Sequence, residues 1–199
     1  MHDLGRNEDR LRGTYEFPFE FHHIDSSHPR YVMSYHWHVE CEIMRVLQGT
    51  LTVTLDEKSF TAKAGDVIFV NSGVLHSGIP QDCIYQCIVF DMNMFLKFNS
   101  ICTEYMQKIS HQELLIYHHF NEKQPDIQRA VNSLFDSFWQ RKPGYELVVF
   151  GQFYHFFGLV FGNHYYLESL RKTRRDYKRI VQLKQVVEFI EKNYTNPIT

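Results

Sequence analysis

His36, His38 and Glu42 fall close together in the stretch SYHWHVECEIMRVLQG, residues 34–49. Two imidazoles and a carboxylate are side chains that hold Fe(II), Mn, Ni or Zn. In an extended strand, residues of like parity share a face. His36, His38, Glu40 and Glu42 are therefore expected on one wall. A fourth ligand has to come from elsewhere, and His76, after the turn Asn71-Ser72-Gly73, is the natural candidate. A metal with open positions can activate water or oxygen. The plain alternative is a set of core histidines hydrogen-bonded to Glu42 or to backbone.

Strands must position these groups. From about residue 14 to 91 the apolar pattern has period two. Leu51, Val53 and Leu55 alternate with Thr52 and Thr54, as a half-buried strand requires. DVIFV (66–70) lies between turn residues, and CIYQCIVF (83–90) reads as another strand. Many short strands at close spacing predict a sandwich or barrel. YEFPFEFHH (15–23) is expected either to cover the barrel mouth or to form an edge strand.

Beyond residue 91 the period changes. Ile127, Ala130, Val131, Leu134, Phe135, Phe138 and Trp139 form one face of a helix. Pro125 favours its first turn and Pro143-Gly144 stops it. The apolar run LVVFGQFYHFFGLVF lies in a second helix, about 145–163, too short and polar for a membrane span. Gly151, Gly158 and Gly162 inside it are expected either to allow close approach to a neighbouring helix or to mark loose packing. The basic run RKTRRDYKR (171–179) reads as a solvated linker or a nucleic-acid contact. A last helix is predicted from about 179 to 193.

Composition narrows the class. The chain has 199 residues, room for one core and a smaller appendage. Its 21 Lys and Arg against 23 Asp and Glu predict neither a nucleic-acid binder nor a membrane-surface protein. The polar start MHDLGRNEDR has no apolar leader segment. The expectation is a cytoplasmic protein with free Cys41, Cys83, Cys87 and Cys102.

The spacing His36-x-His38-x3-Glu42-x6-Gly49, followed by Gly65-x5-Asn71-x-Gly73-x2-His76, resembles the two cupin motifs. Arg30, Asn71 and Pro80 depart from the family pattern. All four cupin metal positions are filled. The resemblance implies a double-stranded β-barrel (jelly roll) over about 14–91. A single cupin, a two-helix segment and a linker further resemble the sensory half of an AraC-type transcriptional regulator. VQLKQVVEFIEKNYTNPIT resembles the first helix of that family's DNA-binding domain, and the chain stops at Thr199 before either helix-turn-helix unit.

The resemblance implies a mainly β fold with C-terminal helices. Residues 1–91 are the effector-binding barrel with its arm. Residues 92–170 are a helical dimerisation segment, and 171–199 a linker and the start of an incomplete DNA-binding domain. The effector is expected on the wall of His36, His38, Glu42, Met44, Val46, Gln48 and His76. Trp37 and Tyr35 are expected to face the other way. That lining suits a sugar or small acid. The expected partners are this effector, a second copy of the chain, and DNA through the absent segment only, with no membrane. The alternatives are a metal-dependent cupin enzyme (isomerase or oxygenase) and a dimerisation module without ligand.

Overall fold

The computed structural model describes residues 6–7, 12–97, 101–169, 182 and 186. The basic run 171–179 lies outside the described residues, as does the last predicted helix apart from Gln182 and Val186.

The strands are β1 (Arg6–Asn7), β2 (Phe19–Ile24), β3 (Met33–Trp37), β4 (Cys41–Leu55), β5 (Lys58–Lys63), β6 (Val67–Val70) and β7 (His76–Phe90). A 3-10 turn (Met92–Leu96) and α1 (Thr103–Ser110) lead to the short strands β8 (Leu114–Ile116) and β9 (His119–Phe120). The helices α2 (Pro125–Gln140) and α3 (Tyr145–Gly162) precede β10 (Tyr166–Glu168), which pairs with β8. One eight-stranded sheet runs β1-β3-β7-β4-β6-β9, with β2 added to β7 and β5 to β4. β4 and β7, fifteen residues each, pair along their whole length. The architecture is a cupin-type β-barrel followed by helices, as expected.

Period-two alternation splits the core into two layers. Met44, Val46, Leu51, Val53, Ile68, Val70 and Tyr85 fill the barrel interior. Ile43, Val67, Phe69, Ile88 and Phe90, their neighbours in sequence, face the other way and pack on α2 and α3. The switch from Val46 to Leu51 as inward residues needs an irregularity, since parity alone would bring Gln48 and Thr50 inward. β4 has one: its register against β7 shifts on both sides of Gln48. Gly49 sits there at φ +69, and an added Cβ would lie 2.1 Å from the Asp82 carbonyl oxygen. Only glycine fits both the dihedral and the space.

α2 buries its predicted stripe, Ile127 to Phe138, on the barrel, while Trp139 stays exposed. Pro125 opens the helix and Arg141, at φ 45, closes it. α3 buries Val149, Phe153, Phe156, Phe157 and Val160. Phe153 stacks on Phe19 at 5.1 Å and meets Phe90 at 4.6 Å. Each such ring contributes roughly 1.5–3 kcal/mol on burial. Gly151, Gly158 and Gly162 lie on the opposite, exposed face, where an added Cβ meets nothing within 4 Å. Among the described residues they serve no close approach to another helix.

Within YEFPFEFHH, residues 19–23 lie in the edge strand β2, and His22 lines the cavity described below. Phe19 and Phe21 lock this strand to the hairpin, Phe21 stacking on Phe138 at 5.8 Å. A polar network joins the same layers. Arg45 of β4 donates to Gln86 Oε1 at 2.9 Å, Asn132 Oδ1 at 3.1 Å and Asp136 Oδ1 at 2.8 Å. Gln86 then donates to His23 Nδ1 at 2.9 Å, and the His23 ring rests on Trp139. Asn71, a departure from the cupin pattern, makes paired hydrogen bonds with the Ile116 backbone at 2.8 and 3.0 Å, tying β8 to the barrel.

Candidate metal centre and its cavity

The barrel brings His36, His38, Glu42 and His76 together, with one candidate ligand atom from each within 4.8 Å of all the others. The cluster is not the single wall that parity predicts. β3 ends at Trp37 and β4 begins at Cys41, so the chain leaves the sheet across residues 38–40. His36 comes from β3, beside its register partner His76 of β7. His38 comes from the connection, which is held where Gly73 N–H donates to the His38 carbonyl at 2.9 Å. Glu42 opens β4. Glu40 falls outside the cluster. Its backbone carbonyl accepts from His38 Nδ1 at 3.1 Å, and its carboxylate lies 3.7 Å from the same nitrogen.

Each imidazole is oriented by backbone. Nδ1 donates to the Ser34 carbonyl from His36 at 2.9 Å, to Glu40 from His38, and to the Val74 carbonyl from His76 at 2.8 Å. With the proton on Nδ1, the neutral ring leaves a lone pair on Nε2. Such backbone bonds fix the tautomer of metal-binding histidines. His38 Nε2 and His76 Nε2 are buried and have no hydrogen-bond partner. Both face Glu42 Oε2, at 3.5 and 3.3 Å. Lone pairs and a carboxylate oxygen repel at that distance unless a cation stands between them. The donor set and these orphaned atoms fit a divalent ion. The widest separations, up to 4.8 Å, would have to shorten for all four side chains to reach one ion.

The electrostatics follow from burial. Burial alone raises the Glu42 carboxyl; positive charge facing it at His38 and His76, a proton on either ring or an ion in its place, more than offsets this and holds it well below the usual range. Burial, with His76 alongside, lowers His36 to about 4. Burial drives the Cys87 thiol well above its usual value, with the Glu42 carboxylate adding to the effect.

A cavity of about 280 Å³ opens beside the cluster. His36, His38 and Glu42 form one side. Arg12, His22 and Ile24 come from the N-terminal segment, and Tyr85, Cys87 and Val89 from β7. Met44 and Val46 share the face of Glu42, as expected, but are packed into the interior at 0% and 2% exposure and do not line the cavity. Gln48 is exposed beyond the bulge, which breaks the parity that placed it inside. Tyr35 is exposed at the cavity edge. Trp37, 3% exposed, is buried where Asn7 of β1 pairs with it. Sequence reasoning missed Arg12, His22, His28 and Arg30 as lining residues. The one available signal was the parity of His22 with Ile24 in FEFHHI.

Oxalate decarboxylase from Bacillus subtilis, in a structure whose title concerns its Mn(II) centres, covers 30% of this chain and 18% of its own at 25% identity and a TM-score of 0.28. A likeness of that extent says nothing of this chain's function. An uncharacterized HTH-type transcriptional regulator, YdeC of Bacillus subtilis (strain 168), is 24% identical over 170 residues. The match covers 82% of this chain and 57% of that relative, so the chain spans little more than half its length. The AraC-like ligand binding domain family matches residues 18–156, the barrel and most of the helical hairpin. The chain belongs to the AraC-like ligand-binding domain family.

Proposed function

We propose that this chain is the sensing part of an AraC-type transcriptional regulator. Its barrel takes up a small effector, a sugar or small acid, in the cavity beside His36, His38, Glu42 and His76. The observation that carries this reading is the cavity itself, which opens on a cluster whose buried nitrogens lack partners. His36, His38, Glu42 and His76 would hold a Zn, Ni, Mn or Fe ion, which would supply a Lewis-acidic anchor for an oxygen of the effector. The protein's own part is to orient the rings through backbone carbonyls and to keep Glu42 ionised. Catalysis is not part of the reading, because the family that matches residues 18–156 is a ligand-binding domain.

Two copies pair through the hairpin, whose α3 exposes Leu147 and Val148 beside Gly151. Effector binding shifts the balance between two arrangements of barrel and hairpin. DNA contact belongs to a segment outside residues 1–199.

Thermal unfolding with a panel of monosaccharides and small carboxylic acids tests the effector site. A rise in Tm that disappears in Val32→Trp, at the exposed cavity edge, is the expected result. A panel without effect, or a rise unchanged by the substitution, overturns the reading. Turnover of a bound acid would favour the cupin-enzyme alternative.

A further inference from the structure

We infer that Asn71 is a positioning residue that joins the candidate ligands His38 and His76 to β10, so that an ion in the cluster steadies the last strand of the sensor. The inference rests on the proposed reading of the cluster and names the route by which its occupancy leaves the barrel.

The loop 71–74 holds two of the four candidate ligands. Gly73 N–H donates to the His38 carbonyl at 2.9 Å, and the Ser72 hydroxyl donates to the Val39 carbonyl in the same connection. At the other end of the loop, His76 Nδ1 donates to the Val74 carbonyl at 2.8 Å. Drawing His38 and His76 towards one ion therefore pulls on this loop at both ends.

On its far side the loop is bonded to the segment that follows α1. Asn71 is buried and spends both ends of its amide on one residue. Nδ2 donates to the Ile116 carbonyl at 2.8 Å, and Oδ1 accepts the Ile116 N–H at 3.0 Å. Gln112, also buried, donates from Nε2 to the Ser72 carbonyl. Its backbone is left-handed, at φ 56. Asn71 is one of the departures from the cupin motifs, and an amide can serve a backbone N–H and a C=O at once.

Ile116 is in turn the register partner of Tyr166, with Leu115 opposite Leu167 and Leu114 opposite Glu168. Bonds at both ends close this ribbon: Tyr117 N–H to the Tyr165 carbonyl at 3.1 Å, and Ser169 N–H to the Glu113 carbonyl at 2.8 Å. β10 directly precedes the basic run 171–179 in sequence. The path from ligand to β10 thus passes through two buried amides and a two-stranded ribbon. Such bonds transmit geometry, because leaving a buried partner unpaired is costly. Coupling of this kind is reciprocal: an ion that fixes the loop favours the docked ribbon, and a docked ribbon favours the ion.

The test is amide hydrogen exchange read by mass spectrometry with and without Zn(II), beside calorimetric titration of Zn(II). In the wild type Zn(II) is expected to slow exchange across residues 165–169 about fivefold or more, the lower end of coupling between sites. That slowing is counted beyond any shared by β5, which pairs with β4. Asn71→Ala should still take up Zn(II), several-fold more weakly, and lose most of the slowing. An Asn71 that merely supports the fold would raise exchange with and without Zn(II) alike and leave the ratio unchanged. Gln112→Gly suits the left-handed backbone, removes the bond to Ser72, and should lower the ratio even if Asn71→Ala fails to fold. Zn(II) bound by the wild type with no slowing at 165–169, or a ratio unchanged in every variant that folds, overturns the inference and leaves the cluster standing. No uptake of Zn(II) removes both the inference and the metal anchor of the proposed reading.

Discussion

His76 Nε2 stands 3.3 Å from Glu42 Oε2 although the two residues are far from register partners. On the β4–β7 ladder His76 pairs with Leu55, and Glu42 with Val89. They meet across the barrel interior because the two long strands curl. The cluster therefore assembles only when the sheet closes, and anything it binds stabilises the closed barrel.

Metal binding is the first consequence. Metal-stripped protein should take up one Mn(II) or Zn(II) per chain. At a hundredfold excess over Kd this adds about 2.7 kcal/mol of stability. His76→Leu should abolish that gain. In the metal-free state it should cost about 1–3 kcal/mol, because the Val74 carbonyl loses the Nδ1 proton that His76 gives it. Calorimetric titration and thermal unfolding check both halves. Equal metal uptake by His76→Leu would sink the assigned ligand set.

The pH dependence follows from His36. Its folded pKa, about 4, lies below the ordinary value of 6.5. Between those values the unfolded chain holds the extra proton, so folding loses stability as pH falls through the window. The loss is at most about 3 kcal/mol, the linkage value of such a shift. It is absent above pH 6.5. His118, also lowered by burial, acts in the same direction. Tm of EDTA-treated protein should decline from pH 6.5 to 4, and less steeply in His36→Gln. A flat profile refutes the assignment.

Arg45 and Asp136 are bonded at 2.8 Å but are not equivalent. Arg45 is nearly buried and serves Gln86, Asn132 and Asp136, whereas the Asp136 side chain is 56% exposed. Arg45→Ala strands Gln86 and should cost about 2–4 kcal/mol. Asp136→Ala should cost about 1 kcal/mol or less. Urea unfolding of both variants measures the asymmetry, and equal losses would contradict it.

Gly49→Ala forces a side chain into a left-handed position against the Asp82 carbonyl. The expected loss is about 1–3 kcal/mol, the range for backbone strain of this kind. The same substitution at Gly158, which faces open space inside a helix, should be neutral or raise stability by up to about 1 kcal/mol. Denaturant midpoints of the pair distinguish a required glycine from a tolerated one.

Dimerisation through the hairpin predicts that Leu147→Glu, at a position 79% exposed, converts a dimer to a monomer without lowering the monomer's own stability. Sedimentation velocity reads the first effect and circular dichroism the second. Wild-type protein sedimenting as a monomer at high concentration removes the basis for the prediction.

The four candidate ligands were legible because two short motifs carried them in order. Their arrangement was not. Parity put Glu40 on the ligand wall, but the chain leaves the sheet at residues 38–40. Parity placed Met44 and Val46 on the right face but is blind to depth, and both are interior. Gln48 was misplaced by the bulge, although Gly49 beside it was the clue. The α2 stripe was read almost residue by residue, because a helix face depends on local period. The β8–β10 pair was not, since three-residue strands show no period. Arg12, His22, His28 and Arg30 become cavity residues only through closure of the sheet, a relation no local pattern contains.

β2 and β7 form a partition one residue thick. His22 looks into the chamber while His23, the next residue, rests on Trp139 of α2. Cys87 lines the chamber while Gln86 carries the hydrogen bond from Arg45. A strand residue cannot shift without its neighbour. A guest that displaces His22 or Cys87 therefore moves the groups on which the helices lean, without using a loop or a hinge. Counted along the chain, the chamber and the hairpin are a single peptide bond apart.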